Sequence, residues 1–290
     1  MYTGGTTMEY FTLNNGIQMP CDGLGTFQLT PSQAYTSTLA ALQCGVRHID
    51  TANAYMNEKA VGNAIRDSKI DRKEIFVSTK LWPSVYESPT AIEDTLRRLQ
   101  LDYVDMLILH QPTGNYIQAY KMMEEAYKAG TVKALGLSNF TQNKIQEILD
   151  TCTVIPQLLT VENHPYYTQK ELRHFLKPYN ILIEAWFPLG HGDHLLLEEP
   201  VFKKLAEKYH VSVAQIILRW HIQMGNSVIP GSKNPQHIQD NHNLYHFHLT
   251  QEEMEEIATL DTNKHYYTQT QELLDKYLQM RPDFDNQEEK

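Results

Sequence analysis

Val104-Asp-Met-Leu-Ile-Leu-His110-Gln-Pro-Thr-Gly-Asn-Tyr116-Ile-Gln-Ala-Tyr-Lys-Met-Met-Glu-Glu-Ala-Tyr-Lys128 reads as one complete strand-then-helix unit. The opening apolar run ends on a histidine, residues 111–115 supply turn chemistry, and 116–128 carry the 3.6-residue periodicity of an amphipathic helix. The same alternation runs through most of the chain. Strands are expected at 23–26, 46–51, 75–82, 104–110, 134–138, 158–163, 182–187 and 227–230, with helices over 31–44, 58–68, 88–99, 116–128, 141–152 and 169–179. Thr30-Pro31-Ser-Gln33 combines an N-cap, a proline at the first helical position and a capping-box glutamine, and Gly45 can end that first helix. Asn14-Asn15-Gly16, between two short alternating runs, predicts a hairpin ahead of the main fold. Two extra helices are expected at 199–209 and 250–260, followed by a polar tail over 262–290. Strand followed by helix, eight times, fits a parallel (β/α)8 barrel or a doubly wound open sheet, and periodicity does not separate them.

With 290 residues, 41% hydrophobic and 21% charged, the chain can bury one large core, and a single domain over 1–290 with its core at about 9–261 is expected. The formal net charge of −10 argues against a nucleic-acid or anionic-membrane surface, since both partners are negative. Cys21, Cys44 and Cys152 lack the spacing of a metal site and read as reduced thiols. The histidines at 237, 242, 246 and 248 give no firm zinc-ligand context either, so no metal is expected. No apolar run approaches membrane-spanning length and the first thirty residues lack a signal-peptide pattern, which points to the cytoplasm.

Asp50, Lys80 and His110 lie thirty residues apart, each near the end of an expected strand in successive units. If the strands are parallel neighbours, equal spacing places the three at equivalent levels at the C-terminal mouth, where such barrels keep their active sites. Alternation puts Phe76, Ser78 and Lys80 on one strand face and Met106, Ile108 and His110 on another. Tyr55 follows Asp50 in the next loop. Carbonyl reduction needs a hydride at carbon and a proton at oxygen, and this group can manage the proton. A lysine cation lowers the pKa of a neighbouring tyrosine, an aspartate holds the ammonium, and a histidine orients the substrate oxygen.

Several segments closely resemble the signatures of the aldo-keto reductases, in the same order and over roughly residues 9–261. They are Leu24-Gly-Thr-Phe27, Asp50-Thr-Ala-Asn-Ala-Tyr55-Met-Asn-Glu58, Thr79-Lys80-Leu-Trp82, Asp105-Met-Leu-Ile-Leu-His110-Gln-Pro112, Gly136-Leu-Ser138-Asn139-Phe140 and Glu162-Asn-His164-Pro165. The chain is most similar to the short-loop, bacterial-type members. This resemblance implies the barrel rather than the open sheet, a monomer, NADP(H) as cofactor without a Rossmann domain, and a small-molecule carbonyl substrate. It carries the roles above onto Asp50, Tyr55, Lys80 and His110.

By the same resemblance the cofactor would be held by Thr26, Ser138, Asn139, Thr160, Trp186, Phe187, Leu189, Ser232, Lys233, His237, Asp240 and Asn241, and the substrate by Phe27, Trp82 and Gln111. Four positions depart from the family pattern. Thr160 stands where a glutamine is usual, and Trp186 replaces the tyrosine expected to stack on nicotinamide. Gly231 stands where a phosphate-binding lysine is usual, with His237 in place of an arginine, so Lys233 is the cation expected to reach a 2′-phosphate. Each residue also has a plainer reading: Ser138-Asn139 as the N-cap of the following helix, Phe27, Trp82 and Trp186 as packing, Lys233 as a solvated loop residue. The rival function is a nucleotide-binding regulatory or structural barrel with little turnover.

Overall fold

The structure, a computed structural model, describes residues 7–289. The expected hairpin forms: β1 (Tyr10–Thr12) and β2 (Gln18–Pro20) pair antiparallel around a loop closed by Gly16 N–H to Leu13 O at 2.8 Å. It seats on the barrel through Asn14, whose amide donates to the carbonyls of Pro156 and Tyr179. Its Leu13 and Met19 complete an apolar floor with Phe76, Met106, Ile108 and Leu158.

Eight parallel strands follow: β3 (Leu24–Gly25), β4 (His48–Asp50), β5 (Phe76–Leu81), β6 (Met106–Leu109), β7 (Leu135–Ser138), β8 (Leu158–Glu162), β9 (Leu182–Trp186) and β10 (Asn226–Val228). Each pairs with the next in chain order. An Asp22–Val228 parallel bridge, with Gly23 N–H to Val228 O at 2.9 Å and Val228 N–H to Cys21 O at 3.1 Å, joins the last strand to the segment entering the first. That closure selects the (β/α)8 barrel over the open sheet.

Helices α1 (Pro31–Gln43), α2 (Glu58–Asp67), α3 (Ala91–Leu99), α4 (Tyr116–Ala129), α5 (Gln142–Thr151) and α6 (Lys170–Leu176) return the chain between strands. Behind β9 come α7 (His194–Leu197), α8 (Pro200–Tyr209) and α9 (Val213–Gln223), and behind β10 come α10 (Pro235–His242), α11 (Gln251–Ala258) and α12 (Gln271–Gln279). The capping box read from Thr30 and Gln33 is present, and Ser212/Gln215 and Thr250/Glu253 build two more. Helices α8 and α11 are the two extra ones. The tail is not merely polar: α12 forms in it, with Thr270 accepting from Leu273 N–H. Among the described residues no helix is long and apolar enough to cross a membrane.

The register corrects one expectation. Asp50 pairs with Ser78 rather than Lys80, and Lys80 pairs with Ile108 rather than His110. Each member sits two residues beyond the partner of the one before, because strands in a closed barrel are staggered. Asp50, Lys80 and His110 therefore form a diagonal file across the interior, not one level.

Candidate active site

Tyr55 is fixed by the loop that follows β4. Residues Asn53–Tyr55 make a single 3-10 turn, and Met56 then takes a left-handed conformation (φ 57°). Two buried side chains brace this loop. Asn57 accepts from Thr51 Oγ1 at 2.6 Å and donates to the carbonyls of Thr26 and Leu29. Glu58, paired with Arg98 at 2.9 Å, accepts from Thr79 and from Asn53, and Asn53 in turn receives the Trp82 N–H. Residues 50–58 thus fold their own polar side chains inward and brace the loop that carries Tyr55.

At the centre lies Lys80, whose ammonium donates to Asp50 Oδ2 at 2.5 Å and to the Thr51 carbonyl at 3.1 Å. It also sits 4.8 Å from the Tyr55 ring centroid. The His110 ring lies edge-on to Tyr55 at 5.7 Å and to Trp82 at 5.2 Å. Asp50 is held from its other side: Ser78 donates to Oδ1 at 2.7 Å, and His48 Nε2 lies 2.8 Å from Ser78 Oγ. Since Ser78 spends its proton on Asp50, His48 is the donor, in its Nε2–H form. Its unpartnered Nδ1 is then a lone pair rather than a stranded N–H, the cheaper arrangement.

Burial drives His48 down to about 3, helped by the Lys80 charge, so this imidazole stays neutral. Burial and Lys80 likewise hold His110 well below the ordinary histidine value. Burial disfavours the Lys80 cation, but the charges of Asp50 and Tyr55 outweigh it and raise its pKa. For Tyr55 the balance reverses the expected lowering. Burial is the largest influence and lifts the phenol above its ordinary value, with Lys80 pulling it back only in part. Tyr55 is a protonated phenol at neutral pH.

Asp50, Tyr55, Lys80 and His110 line a cavity of about 660 Å³. Phe27, Trp82, Gln111, Ser138, Asn139, Thr160, Trp186, Phe187, Ser232 and Lys233 line it as well. Ser138 and Asn139 do not cap the next helix, since Thr141 holds that position. Phe187 stacks on the Trp186 indole at 4.0 Å and 15°. Thr26 and Leu189 do not line the cavity: Thr26 is fully buried with its hydroxyl on the Asp50 carbonyl, and Leu189 packs into the apolar clusters behind β9. His237, Asp240 and Asn241 lie on α10 outside it, Asp240 accepting from Gln236.

Sequence reasoning did not single out the two wall residues that come from the tail. Tyr277 packs edge-on against Trp82 at 5.4 Å, Met280 O accepts from Trp82 Nε1 at 3.0 Å, and both residues line the cavity. It also missed His48 and Glu184. A carboxyl in the middle of Leu182-Ile-Glu184-Ala-Trp186 was the available signal for the latter.

A sequence profile of the Aldo/keto reductase family matches residues 23–262. The chain belongs to this family. Among aldo/keto reductases, the methylglyoxal reductase DkgA of Escherichia coli is 38% identical over 256 residues, covering 87% of this chain and 93% of that protein. The glycerol 2-dehydrogenase (NADP(+)) of Saccharomyces cerevisiae is 38% identical, covering 88% and 92%. The crystal structure of an aldo/keto reductase from Brucella melitensis matches with a TM-score of 0.84 and 40% identity, over 88% of this chain and all of that one.

Proposed function

We propose that this chain reduces small aldehydes and ketones with NADP(H), Tyr55 giving its proton to the carbonyl oxygen. The observation that carries the reading is the group itself: an ammonium bound to Asp50, set against the face of a protonated phenol, with a neutral imidazole beside it in one cavity. A relative named methylglyoxal reductase and another named for NADP(+) point the same way.

The cofactor, when bound, supplies the hydride. The residues present fit such a molecule: the cavity reaches from the Tyr55 end to Gly231, Ser232 and Lys233 and exposes the polar side chains of Ser138, Asn139 and Thr160 on the way. Ser138, Asn139 and Thr160 would hold the carboxamide, Trp186 the ring, and Lys233 a 2′-phosphate. Among the described residues no carboxylate lies within ion-pair distance of Lys233, which leaves its charge available. His110, with Nδ1 buried and unpartnered, offers Nε2–H to orient the substrate oxygen beside the Tyr55 hydroxyl. Raised by burial, the phenol keeps its proton until negative charge develops on that oxygen. Trp82 and Phe27, with Tyr277 and Met280 from the tail, form the substrate wall.

The test is loss of NADPH absorbance with a generic aldehyde such as 4-nitrobenzaldehyde, in wild type and in Tyr55→Phe. Wild type should turn over, and the variant should lose several orders of magnitude while binding NADPH nearly as well. Turnover within tenfold of wild type would remove Tyr55 from the reaction. A wild type that binds NADPH but reduces no aldehyde or ketone would favour the regulatory barrel.

A further inference from the structure

The chain beyond residue 262, where the match to the family profile ends, returns to the barrel mouth at the ends of three neighbouring strands, β7, β8 and β9. Glu162, the last residue of β8, accepts from the N–H groups of Tyr266 and Tyr267 at 2.9 Å each, and His164 Nε2 lies 2.7 Å from its Oε2. Thr270 then caps α12 by accepting from Leu273 N–H at 3.1 Å. The residues between these two anchors are held from both ends. They reach sideways to the strands flanking β8. Tyr267 packs edge-on against Trp186, the last residue of β9, at 5.0 Å, and Gln269 Nε2 donates at 2.8 Å to the carbonyl of Asn139, the residue after β7.

That last bond leaves Asn139 little freedom. Its backbone is left-handed at φ 61°, a conformation that most residues with a Cβ avoid and asparagine tolerates. Its N–H donates to Thr160 O at 2.9 Å, so the peptide before it is tied to β8, and Gln269 ties the peptide after it to the tail. With both peptides fixed, the side chain leaves the backbone in one direction, in the cavity wall with Ser138 and Thr160. Among the described residues the only hydrogen bond of that side chain is a long one, from Nδ2 to Gln111 Oε1 at 3.5 Å. Its placement therefore comes from the backbone.

We propose that Gln269 is a positioning residue of the cofactor site, a side chain from the tail that sets the Asn139 backbone so that the Asn139 amide meets the carboxamide of a nicotinamide cofactor. The inference rests on Asn139 holding that carboxamide. At 2.8 Å the bond has the ordinary length of an N–H to carbonyl hydrogen bond. Its effect is preorganisation: a residue already fixed needs no ordering when the cofactor arrives, so Gln269 strengthens binding without touching the cofactor. The carboxamide is common to NADPH and NADH, so both gain alike, unlike the 2′-phosphate contact proposed for Lys233. Neither the proton nor the hydride passes through Gln269, so turnover at saturation is independent of it.

Gln269→Met keeps the length of the side chain and removes its N–H donor. Fluorescence titration should show Kd rising about three- to tenfold for NADPH and NADH alike, the loss of one hydrogen bond read as affinity, with kcat at saturating cofactor nearly unchanged. The rise should vanish in an Asn139→Gly background, where glycine accepts the left-handed backbone and no side chain remains to be positioned. Unchanged Kd values in Gln269→Met would make Gln269 a packing residue and overturn the proposal. An equal rise with and without the Asn139 side chain would overturn it too, because Gln269 would then act elsewhere. If Gln269→Met gives no cooperative thermal transition, Gln269→Ala, too short to clash, is read in the same way. Asn139→Gly alone separates the two readings. If it leaves both Kd values unchanged, Asn139 holds no carboxamide and this inference falls with that reading, whereas a weakened Asn139→Gly beside an unaffected Gln269→Met sinks only the role of Gln269.

Discussion

Lys80 touches Asp50, the Thr51 carbonyl and the face of Tyr55 at once, so its replacement separates electrostatics from packing. Lys80→Met removes the charge that pulls the Tyr55 pKa down, and residual reduction should move to higher pH. It also strands Asp50, 1% exposed, and should lower stability by about 3–5 kcal/mol. Adding Asp50→Asn should recover much of that stability without restoring turnover, measured by chemical denaturation alongside kcat. An unchanged pH profile with normal turnover would make Lys80 structural. The principal residues were legible because regular spacing and strand alternation expose Asp50, Lys80 and His110 in the sequence itself. His48 and Glu184 were not, and Ser78 was placed only on the right face. Their partners lie on other strands, and cross-strand register in a staggered barrel is not written in any one segment.

At the scale of elements, the eight strands and the helix caps were readable because each is a local pattern of alternation or capping chemistry. The tail was misread since its helix is short and flanked by polar residues, although Leu273, Leu274, Tyr277 and Leu278 carry a helical stripe. The turn after β10 shows why a family position can change. A Cβ on Gly231 would lie 2.8 Å from the Gly25 carbonyl oxygen, and one on Gly25 would lie 2.5 Å from the Ile229 oxygen. The backbones cross so closely at the barrel seam that a lysine at 231 would force them apart. Lys233, which is exposed and lines the cavity, would supply the cation under the proposed function. Ser232 and the start of α10 lie beside it, although Ser232 Oγ and Asn234 Oδ1 already accept from the N–H groups of Asn234 and Gln236. A single flexible ammonium grips a phosphate less firmly than two cations. We therefore expect a modest preference for NADPH, and Lys233→Ala should raise the KM for NADPH while hardly altering that for NADH. Equal effects on both cofactors would assign this turn another purpose.

Over the whole molecule the barrel is divided along its axis. The floor is apolar and stoppered by the hairpin, whereas the upper interior holds Asp50, Lys80, Glu184 and neutral histidines. That division has a measurable consequence for stability. His48 and His221 are fully buried, and burial drives each to about 3. His221 uses both nitrogens as a neutral ring, Nε2–H donating to Pro188 O at 2.8 Å and Nδ1 accepting from Asn226 at 3.1 Å. An unfolded chain protonates these rings below about pH 6.5 while the folded chain does not. Their contribution is thus complete above 6.5 and is lost as pH falls toward 3, at about 1.4 kcal/mol per pH unit for each. His110 acts in the same direction. Glu184 acts oppositely: raised to about 7, it takes up its proton more readily when folded, adding stability below its unfolded value that is lost as pH rises through 7. Between pH 6 and 5 the uptake by Glu184 offsets one histidine, leaving a net loss of roughly 1–3 kcal/mol per pH unit. Urea unfolding followed by tryptophan fluorescence at pH 7.5, 6 and 5 should show this decline, and His221→Gln, which carries no titrating ring, should flatten it by about one proton. Stability that stays level from pH 6.5 to 5 would mean that the folded barrel takes up protons at these histidines, and that its polar interior is not sealed against charge.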